Sequence, residues 1–176
     1  MKYFSELSKS MEFLAKNKKT VFLGQAVEYP GTGMSNTLSK VSKNKLYEMP
    51  VTEEMQLGMS IGMALNGFIP ISIYPRWNFL LLAANQLVNH LDKLNEISNG
   101  KYNPKVIIRT SIGSERPLHP QAQHVGDYSE AFEKMLCNIE IVKLKEPNHI
   151  LPAYKRAIKI NKSSILVEYG DYYNEK

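Results

Sequence analysis

Cysteine is nearly absent: Cys137 is the single thiol in 176 residues. That excludes an internal disulfide framework and a cysteine-built metal cluster, and it points to a reducing compartment. Long apolar runs are missing as well. Phe79 to Ala84 is the longest, far short of the roughly 20 residues a membrane-spanning helix needs. Met1 to Glu6 holds no continuous apolar stretch of the kind a secretory leader carries. The expectation is a soluble, cytoplasmic protein. Runs of like charge are lacking too. The net charge is +5, yet no lysine run exceeds Lys18-Lys19, so no nucleic-acid stripe stands out. What is present is a globular mixture, 43% hydrophobic and 22% charged, in a chain long enough to bury its own core. With no internal repeat and no low-complexity linker, residues 1–176 are expected to form a single domain.

The order of elements follows from periodicity. Phe4, Leu7, Met11 and Leu14 mark an amphipathic helix from Tyr3 to Asn17. Thr20 to Gly24 is a short apolar strand, and Glu28 to Gly33 is loop. The Gly31-x-Gly33 pair there fits a turn better than a phosphate cradle. A short strand at Lys45 to Tyr47 precedes the central stretch, and Ile69 to Tyr74 is a further strand with Pro70 near its start. Leu80, Ala84, Leu87, Leu91 and Leu94 predict one broad helix from Asn78 to Ile97, with Asp92 on its polar side. Lys105 to Thr110 is a strand, Ser111 to Asp127 a polar loop and Tyr128 to Leu136 a short helix. Glu140 to Leu144 is a strand, Pro147 to Lys159 a helix, and Ser164 to Glu168 the last strand. Pro152 is tolerable only in the first turn of its helix. Apolar strands alternating with helices predict an α/β fold, a mostly parallel sheet with helices on both faces.

The central stretch runs from Pro50 to Gly67. Thr52 is a reasonable N-cap and Asn66-Gly67 a reasonable stop, so Glu53 and Glu54 fall in the first helical turn. An isolated acidic pair there ordinarily complements the helix dipole. Gly58 and Gly62 lie one turn apart and expose bare backbone, which allows close packing within the chain or the close approach of another subunit.

Three segments together resemble the pyrimidine-binding domain of thiamine-diphosphate enzymes, above all the transketolase-like beta subunit of 2-oxo-acid dehydrogenase E1, such as the pyruvate dehydrogenase E1 beta subunit. They are Pro50-Val51-Thr52-Glu53 running into Gly58-Met59-Ser60-Ile61-Gly62-Met63-Ala64, Asn78-Phe79 followed by Asn85-Gln86-Leu87-Val88-Asn89, and Val106-Ile107-Ile108-Arg109-Thr110 leading to Gln123-His124. The resemblance covers nearly the whole chain. It implies that Glu53 is catalytic and cofactor-binding, through a hydrogen bond to N1' of the aminopyrimidine. A proton shared there favours the imino tautomer, whose nitrogen can act as general base on the thiazolium C2. It implies that Phe79 places an aromatic ring against the same heterocycle, and that His124 serves as a proton or hydrogen-bond donor to the substrate. Arg116 and His119 share the loop of His124. Arg116 has the paired donors to hold a substrate carboxylate, but no quoted motif covers these two residues, and a solvated loop explains them equally well. His119 and His124 lack a third ligand nearby in sequence, so no metal site is expected.

The departures from the family pattern matter too. Beta subunits carry an acidic pair where this chain has Gln25-Ala26. No Gly-Asp-Gly followed by a later Asn occurs, the signature that holds Mg2+ and diphosphate. A separate E1 alpha-like, diphosphate-binding partner chain is therefore implied, sharing thiamine diphosphate and holding Mg2+, in a hetero-oligomer that includes self-association of this chain. Beta subunits continue beyond the position of Lys176 into a further C-terminal domain, and a chain that stops there is expected to decarboxylate or ligate a 2-oxo acid rather than pass an acyl group to lipoamide. Ketol transfer from a ketose, as in transketolase, is the alternative within the class. A non-catalytic assembly subunit is the alternative outside it.

Overall fold

In the computed structural model, which describes residues 2–115 and 119–174, six strands form one sheet with every pairing parallel. They are β1 (Thr20–Gly24), β2 (Leu46–Glu48), β3 (Ile69–Ile73), β4 (Ile107–Ile112), β5 (Glu140–Lys143) and β6 (Ser164–Tyr169), in the spatial order β2-β1-β3-β4-β6-β5. Parallel neighbours need crossover connections. These hold α2 (Gly33–Asn36), α3 (Glu53–Leu65), α4 (Trp77–Leu80), α5 (Leu94–Ile97), α6 (Ser129–Met135) and α7 (Pro147–Lys159), while α1 (Tyr3–Ala15) precedes β1. Among the described residues no helix is long and apolar enough to cross a membrane.

Successive strand residues point to opposite faces, so the sheet has two cores. On one face Leu7, Met11 and Leu14 of α1 meet Ile150 and Tyr154 of α7 over Phe22, Ile71, Ile107 and Leu166. On the other, Leu57 of α3, Trp77 and Leu80 of α4 and Phe132 of α6 cover Ile108, Ile165 and Val167. Each such side chain contributes about 1.5–3 kcal/mol of burial. Covering both faces is what makes the strands read as continuous apolar runs.

The helix of the central stretch starts and stops where its punctuation places it, with Thr52 and Asn66 as its caps. Thr52 supplies no side-chain cap bond, however. Four other expectations are corrected. The broad helix from Asn78 to Ile97 is broken. A 3-10 turn at Leu81–Ala83 and a π-turn at Gln86–Leu91 separate α4 from α5. The change of pitch keeps Leu80, Ala83, Leu87 and Leu91 on the core and also buries Asp92. Its carboxylate accepts the Cys137 and Asn138 N–H groups at 3.0 and 2.7 Å. Pro152 lies beyond the first turn of α7. It is tolerated because it and Asn148, whose carbonyl loses its helical partner, are both exposed. Gly33 begins a helical turn capped by Thr32 and Ser35. A Cβ at Gly33 would lie 2.4 Å from the Tyr173 ring, so this glycine makes room for an aromatic side chain.

The strands are also not apolar throughout. Arg109 of β4 and Glu168 of β6 are fully buried and paired through both guanidinium branches, Nη2 to Oε2 at 3.0 Å and Nε to Oε1. Tyr154 donates to the same carboxylate at 2.7 Å, and Tyr173 donates as well. Burial opposes the Arg109 charge, but the facing carboxylate outweighs it and raises the guanidinium pKa. Burial, reinforced by Glu168, raises both tyrosines and keeps them donors. Breaking such a pair leaves an uncompensated buried charge at a cost of about 3–5 kcal/mol. Glu168→Gln is therefore expected to lower unfolding free energy by about that amount, read as a lower urea midpoint at unchanged slope. An unchanged midpoint would show that the pair contributes nothing.

Candidate active site

From β1 the chain steps outward to the edge strand β2, and from β3 it steps the other way to β4. Loops that leave neighbouring parallel strands in opposite directions open a crevice at the strands' carboxyl ends. Gln25 follows β1, Glu53 opens the helix after β2, Phe79 follows β3 and His124 lies in the loop after β4. All four elements thus deliver side chains to one edge of the sheet.

Glu53 is only 3% exposed, and its Oε1 accepts a hydrogen bond from Gln25 Nε2 at 2.9 Å. Its peptide carbonyl accepts from the Tyr74 hydroxyl at 3.3 Å. Burial raises the Tyr74 pKa; the bond with Ser72 opposes that rise, and the nearby Glu53 carboxylate adds to it. This hydroxyl therefore stays a donor. One turn along α3, Gln56 Nε2 donates to Ser72 Oγ at 3.1 Å and to the Ile73 carbonyl at 3.0 Å, while Ser60 donates to Ser72 Oγ at 3.1 Å. The first turns of α3 are thus bolted to β3, and Glu53 cannot drift from the sheet.

Glu48, at the end of β2, holds the loop that carries Gln25. Its carboxylate accepts the N–H groups of Ala26, Val27 and Glu28 at 2.6, 2.8 and 3.0 Å. Ala26 sits at φ +54°, the left-handed region that non-glycine residues rarely enter. Three charge-assisted bonds hold it there. Sequence reasoning missed Glu48 because its partners are backbone groups 20 to 22 residues away, which leave no local motif.

The structure brings Phe79 and His124 together. Their rings stack with centroids 5.4 Å apart and 28° between planes. The start of α4 grips the same turn: Arg76 Nη1 donates to the His124 carbonyl at 3.0 Å, and Asn78 Nδ2 donates to the Gln123 carbonyl at 2.7 Å. His124 Nδ1 is buried without a hydrogen-bond partner among the described residues. Arg76, which sequence reasoning also passed over, lines a cavity of about 150 Å³ with Thr32, Gly33, Ser111 and Ser114. His119 is exposed, with Nδ1 accepting from the Gln121 N–H at 2.9 Å. Arg116 lies outside the described residues.

On the outer side of α3, Met55, Gly58 and Met59 are exposed, and a Cβ at Gly58 or Gly62 would meet nothing within 4 Å. Close packing inside the chain is therefore not what these glycines serve.

The sequence profile described as transketolase, pyrimidine binding domain, matches residues 6–173. The chain belongs to this family. Transketolase-type pyrimidine domains are parts of thiamine-diphosphate-dependent enzymes, and two similar curated proteins are pyruvate dehydrogenase E1 component subunits beta. That of Gracilaria tenuistipitata var. liui is 30% identical over 177 residues, covering 98% of this chain and 54% of that protein. That of Mesostigma viride is 25% identical over 168 residues, covering 94% and 50%. A solved structure described as split gene transketolase, inactive beta4 tetramer, shares the fold at a TM-score of 0.73 with 16% identity, over 94% of this chain and 50% of that one. The pyrimidine-domain chain thus spans about half the length of the curated relatives it matches.

Removing the Glu48 carboxylate strands three N–H groups while leaving β1 paired. Glu48→Ala is therefore expected to speed amide exchange at Ala26, Val27 and Glu28 by about 10–100-fold, as loss of charged hydrogen bonds implies. The Phe22 and Leu23 amides should be unaffected. Equal protection in variant and parent would dismiss the clamp.

Proposed function

We propose that this chain is the pyrimidine-binding component of a split thiamine-diphosphate enzyme that decarboxylates or ligates a 2-oxo acid, with a separate chain binding the diphosphate and Mg2+. The observation that carries the reading is Glu53, a buried carboxylate at the sheet crevice with Oε1 engaged by Gln25. Among the described residues no hydrogen bond occupies Oε2. A carboxyl in that state fits the N1' edge of an aminopyrimidine, where one oxygen must hold a shared proton. Bound thiamine diphosphate would supply the nucleophilic C2 that adds to the substrate carbonyl.

The remaining roles follow the side chains. Phe79, half-buried and steadied by His124, offers a flat apolar surface to a heterocycle. With Nδ1 of His124 buried, Nε2 is the ring nitrogen assigned to the substrate carbonyl oxygen. The outward face of Gly58 and Gly62 supports a subunit contact, since bare backbone permits close approach. The curated relatives are named as subunits of an E1 component, which favours the 2-oxo acid reading over ketol transfer. The structural neighbour is described as an inactive beta4 tetramer, and by analogy this chain alone is expected to self-associate and to lack activity.

In the enzyme reconstituted with its co-purified partner, Glu53→Gln is expected to lower turnover by about 10²–10⁴-fold, the range that acid–base contributions span. The urea midpoint should stay within error of the parent. Undiminished turnover would remove Glu53 from the chemistry. Calorimetry of this chain alone with thiamine diphosphate and Mg2+ is expected to show no saturable heat, whereas tight binding by the isolated chain would overturn the split site.

A further inference from the structure

We infer that Gln25 is a positioning residue for Glu53: its side-chain amide engages Oε1 and so selects Oε2 as the oxygen presented to a ligand's ring nitrogen. The inference rests on the functional reading above. A carboxyl group has two chemically equivalent oxygens, and a single proton shared with a heterocycle needs one of them at a fixed angle. Free rotation about the last side-chain bond would interchange them. The 2.9 Å bond from Gln25 Nε2 removes that freedom by committing Oε1.

Gln25 is itself held at both ends. Before it, Gly24 is locked in the ladder to β2 and β3. After it, Ala26, Val27 and Glu28 are gripped by the Glu48 carboxylate. With the peptides on both sides already fixed, the bond costs no further ordering of the backbone, only that of the Gln25 side chain itself.

The chemical identity of the group matters as much as its place. An amide nitrogen only donates, whatever the proton balance of the site. A carboxylate at 2.9 Å from Glu53 would repel it unless the two shared a proton. A donor in that place gives the proton shared with the ligand no carboxyl at position 25 to move to. Such a residue acts through Glu53 and touches no reacting atom.

Two measurements test this. In the isolated chain, the Gln25 side-chain amide protons are expected to be displaced from random-coil positions in an ¹H–¹⁵N spectrum, and Glu53→Ala should return them. Random-coil positions in the parent chain overturn the inference without need of any variant. In the reconstituted enzyme, Gln25→Met keeps length and removes the donor. It is expected to lower kcat by about 10–100-fold, the loss of a bond to a charged group. KM for the 2-oxo acid should stay within about threefold and the urea midpoint should not change, since a positioning contact adds little to ground-state binding. Gln25→Glu should lose more than Gln25→Met, because it adds repulsion to the missing donor. A matching rise in KM or a collapse of the midpoint would mark the residue as merely structural. Full turnover in Glu53→Gln overturns both the functional reading and this inference. Parental kcat in Gln25→Met, beside an inactive Glu53→Gln, overturns the inference alone.

Discussion

The carbonyl of Ile73 lies so near Gly24 that a Cβ there would come within 2.5 Å of its oxygen. The same oxygen accepts the Gln56 amide from α3 at 3.0 Å. Three elements, β1, β3 and α3, therefore converge on one peptide, and only a residue without a side chain fits at the end of β1. The Gly24 carbonyl in turn accepts the Met49 N–H at 2.9 Å, which ties the exit of β2 to the same junction. Gln25 is the next residue on one side, and Glu53 is one helical turn from Gln56 on the other. Any side chain at Gly24 would push β1 away from β3 and separate the two groups that meet at 2.9 Å.

The opposite face of the sheet is organised by charge. Arg109 and Glu168 lie on adjacent strands in a core built mostly of apolar side chains, and three further groups complete them: the hydroxyls of Tyr154 and Tyr173 and the Met34 carbonyl at 3.4 Å. Tyr3 extends the network, donating to the Leu144 carbonyl at 2.6 Å and accepting from the Tyr169 N–H at 2.9 Å. A buried pair adds little net stability over apolar packing, but its directional bonds admit one arrangement. Here they fasten α1, α2, α7 and the segment after β6 to β4 and β6, and it is from the end of β4 that the loop bearing His124 departs.

Elements with full helical or strand periodicity were legible in the sequence. The bounds of α3 and α7 fall where capping and apolar spacing put them, and α1 ends within two residues of its expected stop. What was hidden arises from contacts between residues far apart in the chain. Asp92 looked like part of a solvated helix face, yet its partners lie 45 and 46 residues away. Asp92 itself lies just past the π-turn that interrupts the expected broad helix. Arg109 and Glu168 are 59 residues apart, and Gly33 answers to a ring at Tyr173. The site divides the same way. Glu53, Phe79 and His124 are candidates that the motif resemblance names, whereas Gln25, Glu48 and Arg76 act through long-range bonds that periodicity does not register. Gln25 had stood out only as a departure from the family pattern, and the fold gives that departure a bond.

A carboxylate removed from water is costly unless its lone pairs are engaged. Glu53 has one oxygen bonded within the chain and carries its load at the start of a helix whose dipole favours negative charge. The same helix turns Gln56, Leu57 and Ser60 inward and Met55, Gly58 and Met59 outward. On the proposed reading, a partner that packs against Gly58 and Gly62 meets the outer face of the helix whose inner side carries Glu53, so assembly bears on the element that positions the carboxyl. Drying strengthens every electrostatic interaction left inside, including the one that holds a proton between Glu53 and a ring nitrogen. That drying is already built into the chain alone, where Glu53 is 3% exposed, so on the proposed reading a partner has the rest of the cofactor site to add and no water to drive from this carboxyl.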